Sequence, residues 1–245
     1  MDRDMSEVRL WVLPLDTARG LRVDHLLDDG ERDRSARFMQ RDDAVRYEAG
    51  RVLLRLAAAD LLGRRARDVR LTRHCPVCHS TEHGRPVVAG AADRAHLSLT
   101  HGGDVIAVAA AAEPVGIDVE PHGRRRDLDA IAHDVLTAAE RAAIDPAGRA
   151  AGPSQFHDLW TLKEAFIKAC GLTLDDLGEI DVLAALAGPA WIEHGSFRLL
   201  CRRLELAPGH AGALASSGAR ILTQDAVGAV RSLAASMPAG SEDDP

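Results

Sequence analysis

Gly116-Ile117-Asp118-Val119-Glu120-Pro121 is the stretch on which the reading of this chain turns. Val115, Ile117 and Val119 alternate with Gly116, Asp118 and Glu120, and proline closes the run, which is the pattern of a β-strand. Successive strand side chains point to opposite faces, so the three aliphatic residues would face a core. Asp118 and Glu120 would then share the other face, about 6–7 Å apart along the strand. Two carboxylates at that spacing repel, and here they sit among apolar residues. A divalent cation between them relieves both problems, and an all-oxygen pair suits Mg²⁺ better than zinc. The plainer alternative is a solvated strand face carrying two ordinary acids.

Forty residues on, Trp160-Thr161-Leu162-Lys163-Glu164-Ala165-Phe166-Ile167-Lys168 reads as a helix. It opens near Gly152-Pro153-Ser154 and stops at Gly171. Trp160, Glu164 and Lys168 are spaced by four and project from one side. The bland reading is a surface Glu–Lys pair worth a few tenths of a kcal/mol. Composition speaks for more. Nearly all basic residues are Arg, and Lys163 and Lys168 are the only lysines in 245 residues. Lysines that persist in an Arg- and Ala-rich chain point to chemistry. Three acids and a lysine suit phosphoryl transfer: a cation neutralises phosphate oxygens, a carboxylate takes the proton of an attacking hydroxyl, and an ammonium stabilises the leaving phosphate.

Working outward, Val8–Leu13 predicts a strand, and Leu21 to about Gly63 a helical region, clearest from Asp43 to Leu62, with Asp42 or Asp43 as its cap. His96–Thr100 and Val105–Ala112 around Gly102-Gly103 predict a hairpin. Thr137 with Glu140 forms a capping box. Ala190–Leu222 returns to short strands, in which HAGALASS echoes GGDVIAVAAA of the first half. The order helix, loop, hairpin therefore occurs twice. The expected organisation is an α/β (α+β) chain of two similar halves, residues 1–112 and 113–237, with a disordered tail at 238–245.

Thr100-His101-Gly102-Gly103 can surround an anion with a hydroxyl, an imidazole and backbone N–H groups. Arg34, Arg46, Arg51 and Arg85 offer forked donors suited to phosphate. The net charge of −7 argues against nonspecific binding to nucleic acid or anionic membranes. No apolar run reaches the ~20 residues of a membrane span. The charged N-terminus and four cysteines that make no secreted disulfide framework, Cys75 and Cys78 close together and Cys170 and Cys201 scattered, point to a reducing, cytoplasmic setting.

On these residues the sequence resembles the Sfp-type 4′-phosphopantetheinyl transferases. GIDVEP (116–121) and WTLKEAFIKACG (160–171) carry the resemblance, supported by RYEAGRVLLR (46–55), HGRP (83–86) and LSLTHGGDVIAVA (97–109). The resemblance implies a pseudo-twofold monomer, each half a small antiparallel sheet packed on a long helix. It implies transfer of 4′-phosphopantetheine from coenzyme A to a serine of an apo acyl or peptidyl carrier protein, releasing 3′,5′-ADP, in secondary-metabolite assembly. Mg²⁺ would be held by Asp118, Glu120 and Glu164. Glu164 would help deprotonate the serine, and Lys168 would aid departure of 3′,5′-ADP. Thr100, His101, Arg34, Arg46, Arg51 and Arg85 would contact coenzyme A. The chain departs from the family pattern at Glu31, which stands at a usually basic position, and at Cys170-Gly171-Leu172-Thr173 after the helix.

His74-Cys75-Pro76-Val77-Cys78-His79 with His83 has the look of a zinc knuckle, since Cys75, Cys78 and two of the three histidines make four ligands. The histidine spacing departs from the usual two-pair signature, so a plain loop is the expectation and zinc the alternative. Rival functions are a zinc-stabilised binding module and another Mg²⁺-dependent phosphoryl-transfer enzyme, which would release phosphate from small esters without a carrier.

Overall fold

The computed structural model describes residues 7–122, 128–144 and 153–236. The expected tail at 238–245 lies outside them. Ten strands run β1 (Glu7–Pro14), β2 (Leu71–His74), β3 (Arg85–Val88), β4 (His96–Gly102), β5 (Val105–Ala111), β6 (Val115–Pro121), β7 (Ala190–His194), β8 (Phe197–Leu204), β9 (His210–Ser216) and β10 (Arg220–Gln224) among the described residues. The helices are α1 (Leu15–Arg19), α2 (Asp29–Ser35), α3 (Arg41–Leu62), α4 (Leu128–Val135), α5 (Ala138–Ile144), α6 (Pro153–Cys170), α7 (Ala184–Ala187) and α8 (Ala226–Ser236).

The strands form two sheets, ordered β10-β1-β5-β4-β3-β2 and β6-β9-β8-β7. Each contains the same unit. A first strand is followed by a long helix and a three-strand meander, and the meander's last strand pairs with the first. That gives β1-β5-β4-β3 around α3 and β6-β9-β8-β7 around α6. The repeated order gives the faint echo between the two halves a structural basis. The fold is mixed α+β, as expected. One pairing differs from the antiparallel expectation: β10 runs parallel to β1, Val8 opposite Ile221. Strand β10 and α8 thus return from the end of the chain to the first sheet. We keep a division at 112/113 as a proposal for the two units, with this terminal segment crossing back over it.

Two helices cover the outer faces. Val45, Ala49, Val52, Leu53 and Ala57 of α3 are buried against Leu13, Ile106 and Val108 of the first sheet. Leu54, Ala58 and Ala59 are buried as well. A single stripe facing one sheet would leave them wet, but α8 and the segments before α3 close over them. The helical region expected from Leu21 to Gly63 is broken into a short turn, α2 and α3. Helix α3 starts at Arg41 after Gln40, which makes no side-chain cap, so Asp42 and Asp43 lie in its first turn rather than capping it. There their charges favour the positive end of the helix dipole. Leu159, Leu162, Phe166 and Ala169 of α6 pack with Ile192, Cys201 and Ala215 of the second sheet.

Between the sheets lies a third core, in which Val8, Leu10, Ala107 and Ala109 meet Val115, Ile117 and Leu214. Strand β6 is the edge of its sheet, and an edge strand exposes backbone N–H groups that want partners. Strand β4 supplies them. The Ile117 N–H donates to Ser98 Oγ at 3.1 Å and the Val119 N–H to Thr100 Oγ1 at 3.2 Å. Two hydroxyls thus join the sheets where the acidic motif runs. On its other side β6 is pressed against α6. A Cβ at Gly116 would come within 1.9 Å of the Ala165 carbonyl oxygen, so only glycine allows this approach.

Lys163 belongs to this frame. It is fully buried, its Nζ 2.8 Å from Glu140 and donating to the Leu177 and Ile180 carbonyls at 2.7 and 2.5 Å. Glu140 closes the capping box with Thr137 and accepts from the Val182 N–H. Of the two lysines that resist replacement, one is therefore structural. Burial lowers the Lys163 pKa while Glu140 resists the change. Removing one partner of such a pair leaves an uncompensated buried charge. Lys163→Ala is expected to destabilise the fold by about 3–5 kcal/mol in urea denaturation, whereas Lys163→Met with Glu140→Gln should recover most of the loss.

Candidate functional site

The seam between β6 and α6 gathers most of the residues singled out in the sequence. Asp118 is buried, although the alternation of β6 would put it on a polar face. That face is covered by β4 and by the end of α6. Thr100 donates its hydroxyl to Asp118 Oδ1 at 3.0 Å, and Lys168 donates to the same oxygen at 2.6 Å. Lys168 Nζ also lies 3.8 Å from Glu164 Oε2, one turn earlier on α6. Asp118 Oδ2 is buried and accepts no hydrogen bond from the described residues. A carboxylate oxygen in that condition is short of a partner, and a cation is the partner that such an oxygen favours.

The electrostatics carry the same message. Burial raises the Glu164 pKa, Asp118 and Glu120 raise it further, and Lys168 resists. Glu164 therefore feels both of the other carboxylates across the seam. For Lys168, burial opposes the charge, but Asp118 and Glu164 outweigh it and hold the ammonium above its ordinary pKa. The donor set is oxygen only, as a hard cation requires. The three acids do not all come within 4.8 Å of one another, and Lys168 contacts both Asp118 and Glu164.

Thr100 is committed differently from the sequence expectation. Its hydroxyl orients Asp118 and joins the sheets, instead of opening towards an anion. His101 is exposed at the start of the β4–β5 turn, and Arg46 on α3 reaches the same turn, donating to the Gly103 carbonyl at 2.8 Å. Crowding by protein lowers the His101 pKa, with Arg46 and Lys168 adding to it. His210, which the sequence did not mark, lies beneath this turn. Its buried Nε2 has no partner among the described residues, and a Cβ at Gly103 would meet it at 2.4 Å.

The remaining arginines line two cavities with common walls. One of about 580 Å³ is bordered by Arg34, Arg37, Tyr47, Arg51 and Arg73. The other, about 460 Å³, is bordered by Arg73, Arg85, His96 and Lys168. Thr72, Arg73 and Thr81 border both, so the two are neighbours, and the second reaches the seam through Lys168. Arg51 is buried and spends its Nε on Glu31 at 2.5 Å, while Arg55 donates to the other Glu31 oxygen at 2.8 Å. Against the cost of burial, those two guanidiniums hold Glu31 below the usual carboxylate range. Arg34 lies 5.5 Å over the Tyr47 ring. Arg73 is a wall residue that sequence reasoning missed: it directly precedes the Cys/His motif, but nothing local turns it towards a phosphate site. Burial, then Arg34 and Arg51, push its pKa down.

A raised acid pKa has a testable sign. Glu164 binds its proton more tightly folded than unfolded, so its stabilising contribution is present at low pH and is lost as pH rises through the folded value. Without added divalent cation, Glu164→Gln should melt at a higher temperature than wild type near pH 7.5 and at the same temperature near pH 4. An unchanged or lower melting temperature at the higher pH would contradict the crowded-carboxylate picture.

Residues 114–215 match the family model of the 4′-phosphopantetheinyl transferase superfamily, and residues 18–113 match that of the 4′-phosphopantetheinyl transferase N-terminal region. A 4′-phosphopantetheinyl transferase of Bacillus subtilis is 28% identical over 58% of this chain and 58% of its own length. The transferase Sfp of Bacillus subtilis strain 168 is 27% identical over 64% of this chain and 66% of its own length. A phosphopantetheinyl transferase of Thraustochytrium is 28% identical over 68% and 62%. The chain thus spans 58 to 66% of the length of these relatives. With its two adjoining matches covering residues 18–215, the chain belongs to the 4′-phosphopantetheinyl transferase superfamily.

Proposed function

We propose that this protein transfers the 4′-phosphopantetheine moiety of coenzyme A to a serine hydroxyl of an apo acyl or peptidyl carrier protein, releasing 3′,5′-ADP, as an Sfp-type enzyme. The observation that carries the proposal is the unpartnered Asp118 Oδ2 in a seam of three carboxylates, opening through Lys168 into an arginine-lined cavity. Asp118, Glu120 and Glu164 would hold Mg²⁺, which supplies charge neutralisation on the diphosphate. Thr100 fixes the Asp118 carboxyl, so that one of its oxygens stays available.

In the reaction the serine oxygen bonds to the β-phosphorus of coenzyme A, and the bond from that phosphorus to the oxygen bridging the diphosphate breaks. Glu164, whose proton affinity is raised by burial, is suited to accept the serine proton. Lys168 carries the positive charge that the departing phosphate needs. His101 and Arg46 at the β4–β5 turn, Arg85 in the cavity next to the seam, and Arg34 and Arg51 in the larger one would bind the phosphates and the adenosine end. With Arg51 bound to Glu31, Arg34 and Arg73 are the better assigned to the outermost phosphate.

Residues of both sheets complete the site within one chain, which supports a working monomer. Four free cysteines and the absence, among the described residues, of a helix long and apolar enough to cross a membrane support a cytoplasmic setting. The basic run Arg124–Arg126 that follows the acidic motif in sequence, a candidate docking segment for an acidic carrier protein, lies outside the described residues.

Asp118→Ala and Glu164→Ala are each expected to reduce transfer by at least about 10³-fold while the circular dichroism spectrum stays native. Mass spectrometry of a panel of apo carrier proteins incubated with enzyme, coenzyme A and Mg²⁺ should show the added phosphopantetheine. No addition to any carrier, with phosphate released from small esters instead, would favour a phosphohydrolase.

A further inference from the structure

Outside the seam, the β2–β3 loop brings together a set of metal donors that the transfer reaction does not use. Cys75 Sγ, Cys78 Sγ and a ring nitrogen of His83 all lie within 4.8 Å of one another, and Cys78 Sγ is 3.3 Å from His83 Nε2. No other trio of Cys, His, Asp and Glu meets that limit among the described residues. In sequence the histidine spacing looked irregular. In the fold it is explained by how the loop returns.

Three features hold the loop in this shape. The Cys75 N–H donates to the Ser80 carbonyl and the His79 N–H to the Cys75 carbonyl, both at 2.9 Å, wrapping residues 75–80 into a tight turn. His79 sits at φ +58, the left-handed conformation that costs a residue with a side chain. Gly84 at φ +103 lies so close to the start of the loop that a Cβ there would be 2.3 Å from the His74 carbonyl oxygen. That approach sets His83 beside Cys75. A strained turn kept in a short loop needs something to hold it.

We propose that Cys75, Cys78 and His83 bind a zinc ion, with His74 or His79 as the fourth ligand. Two thiolates and an imidazole form a soft set that selects zinc over Mg²⁺ or Ca²⁺. The rings of His74 and His79 lie 5.5 Å apart in the same segment, outside the 4.8 Å set, so the fourth ligand would have to turn inward on binding. The ion has a structural task. It pins a loop flanked by Arg73 and Arg85, both walls of the cavity beside the seam, and whose Pro76 packs at the end of α6, 3.3 Å from where a Gly171 Cβ would lie. The seam's cation and this one would therefore be different metals with different tasks.

The test measures metal, so its outcome is independent of whether the protein transfers phosphopantetheine. Protein purified without chelator and equilibrated with zinc is desalted and analysed by mass-spectrometric metal determination. About one zinc per chain is expected, falling to background in Cys78→Ser and in His83→Gln. Cobalt substitution of the wild type should give thiolate charge-transfer bands and tetrahedral d–d bands. His74→Gln and His79→Gln then separate the fourth ligand, since one of them should shift the d–d bands and the other leave them. Under about a tenth of an equivalent in wild-type protein overturns the proposal. So does a full equivalent retained in Cys78→Ser, or a Cys75–Cys78 disulfide in protein isolated under reducing conditions.

Discussion

The ammonium of Lys168, 2.6 Å from Asp118 and 3.8 Å from Glu164, is the charge on which the seam depends. Taking carboxylates out of water costs several kcal/mol each unless a counter-charge and hydrogen bonds repay it. Asp118 is nearly inaccessible and Glu164 mostly covered. With Lys168 in place one half-buried cation serves two covered anions, and the seam stays short of positive charge. Geometry keeps it so. Gly116 lets α6 touch β6, and Ala165, the residue it touches, adjoins Glu164. Ser98 and Thr100 tie β6 to the first sheet from the other side. The acids cannot separate to relieve their repulsion without breaking either contact.

Much of this was legible in the sequence because it is local. Alternation marked β6, four-residue spacing marked Glu164 and Lys168, and Gly-Gly marked the β4–β5 turn. Spacing says which residues share a face, and that was enough to foresee that Asp118 and Lys168 are both functional candidates. What it could not supply is the partner across the fold. Thr137 and Glu140 were readable as a capping box, yet nothing local announces that Glu140 neutralises Lys163, 23 residues on. Glu31 was visible as an acid in a basic position, but its bridging of Arg51 and Arg55 depends on α2 packing against α3. The parallel pairing of β10 with β1 joins the two ends of the chain and leaves no periodic trace. Ser98 looked like any strand serine.

Lysine usage shows the limit of a compositional argument. Retention of Lys against Arg was a sound signal that each of the two matters. Lys163 is enclosed, with its ammonium between two carbonyls and a carboxylate, a compact site that a planar guanidinium does not fit. Lys168 is retained beside a cavity. The same compact ammonium therefore suits two opposite environments, one closed and one open to a ligand, and only burial tells them apart.

Net charge proves equally local in meaning. The chain carries −7, yet the neighbouring cavities are walled by Arg34, Arg37, Arg51, Arg73, Arg85 and Lys168 against Asp28, Glu31 and Glu82, and Arg73 is crowded by Arg34 and Arg51. Like charges crowded at a cavity wall are relieved by an anion, just as the carboxylates of the seam are relieved by a cation. Neither half is satisfied alone, and the two meet at Lys168. A ligand that carries separated phosphates, one end chelating a cation, answers both deficits in a single binding event. A bare metal ion answers only the seam and a simple phosphate only the cavity. That complementarity supports the proposed diphosphate-bearing coenzyme over a small phosphate ester.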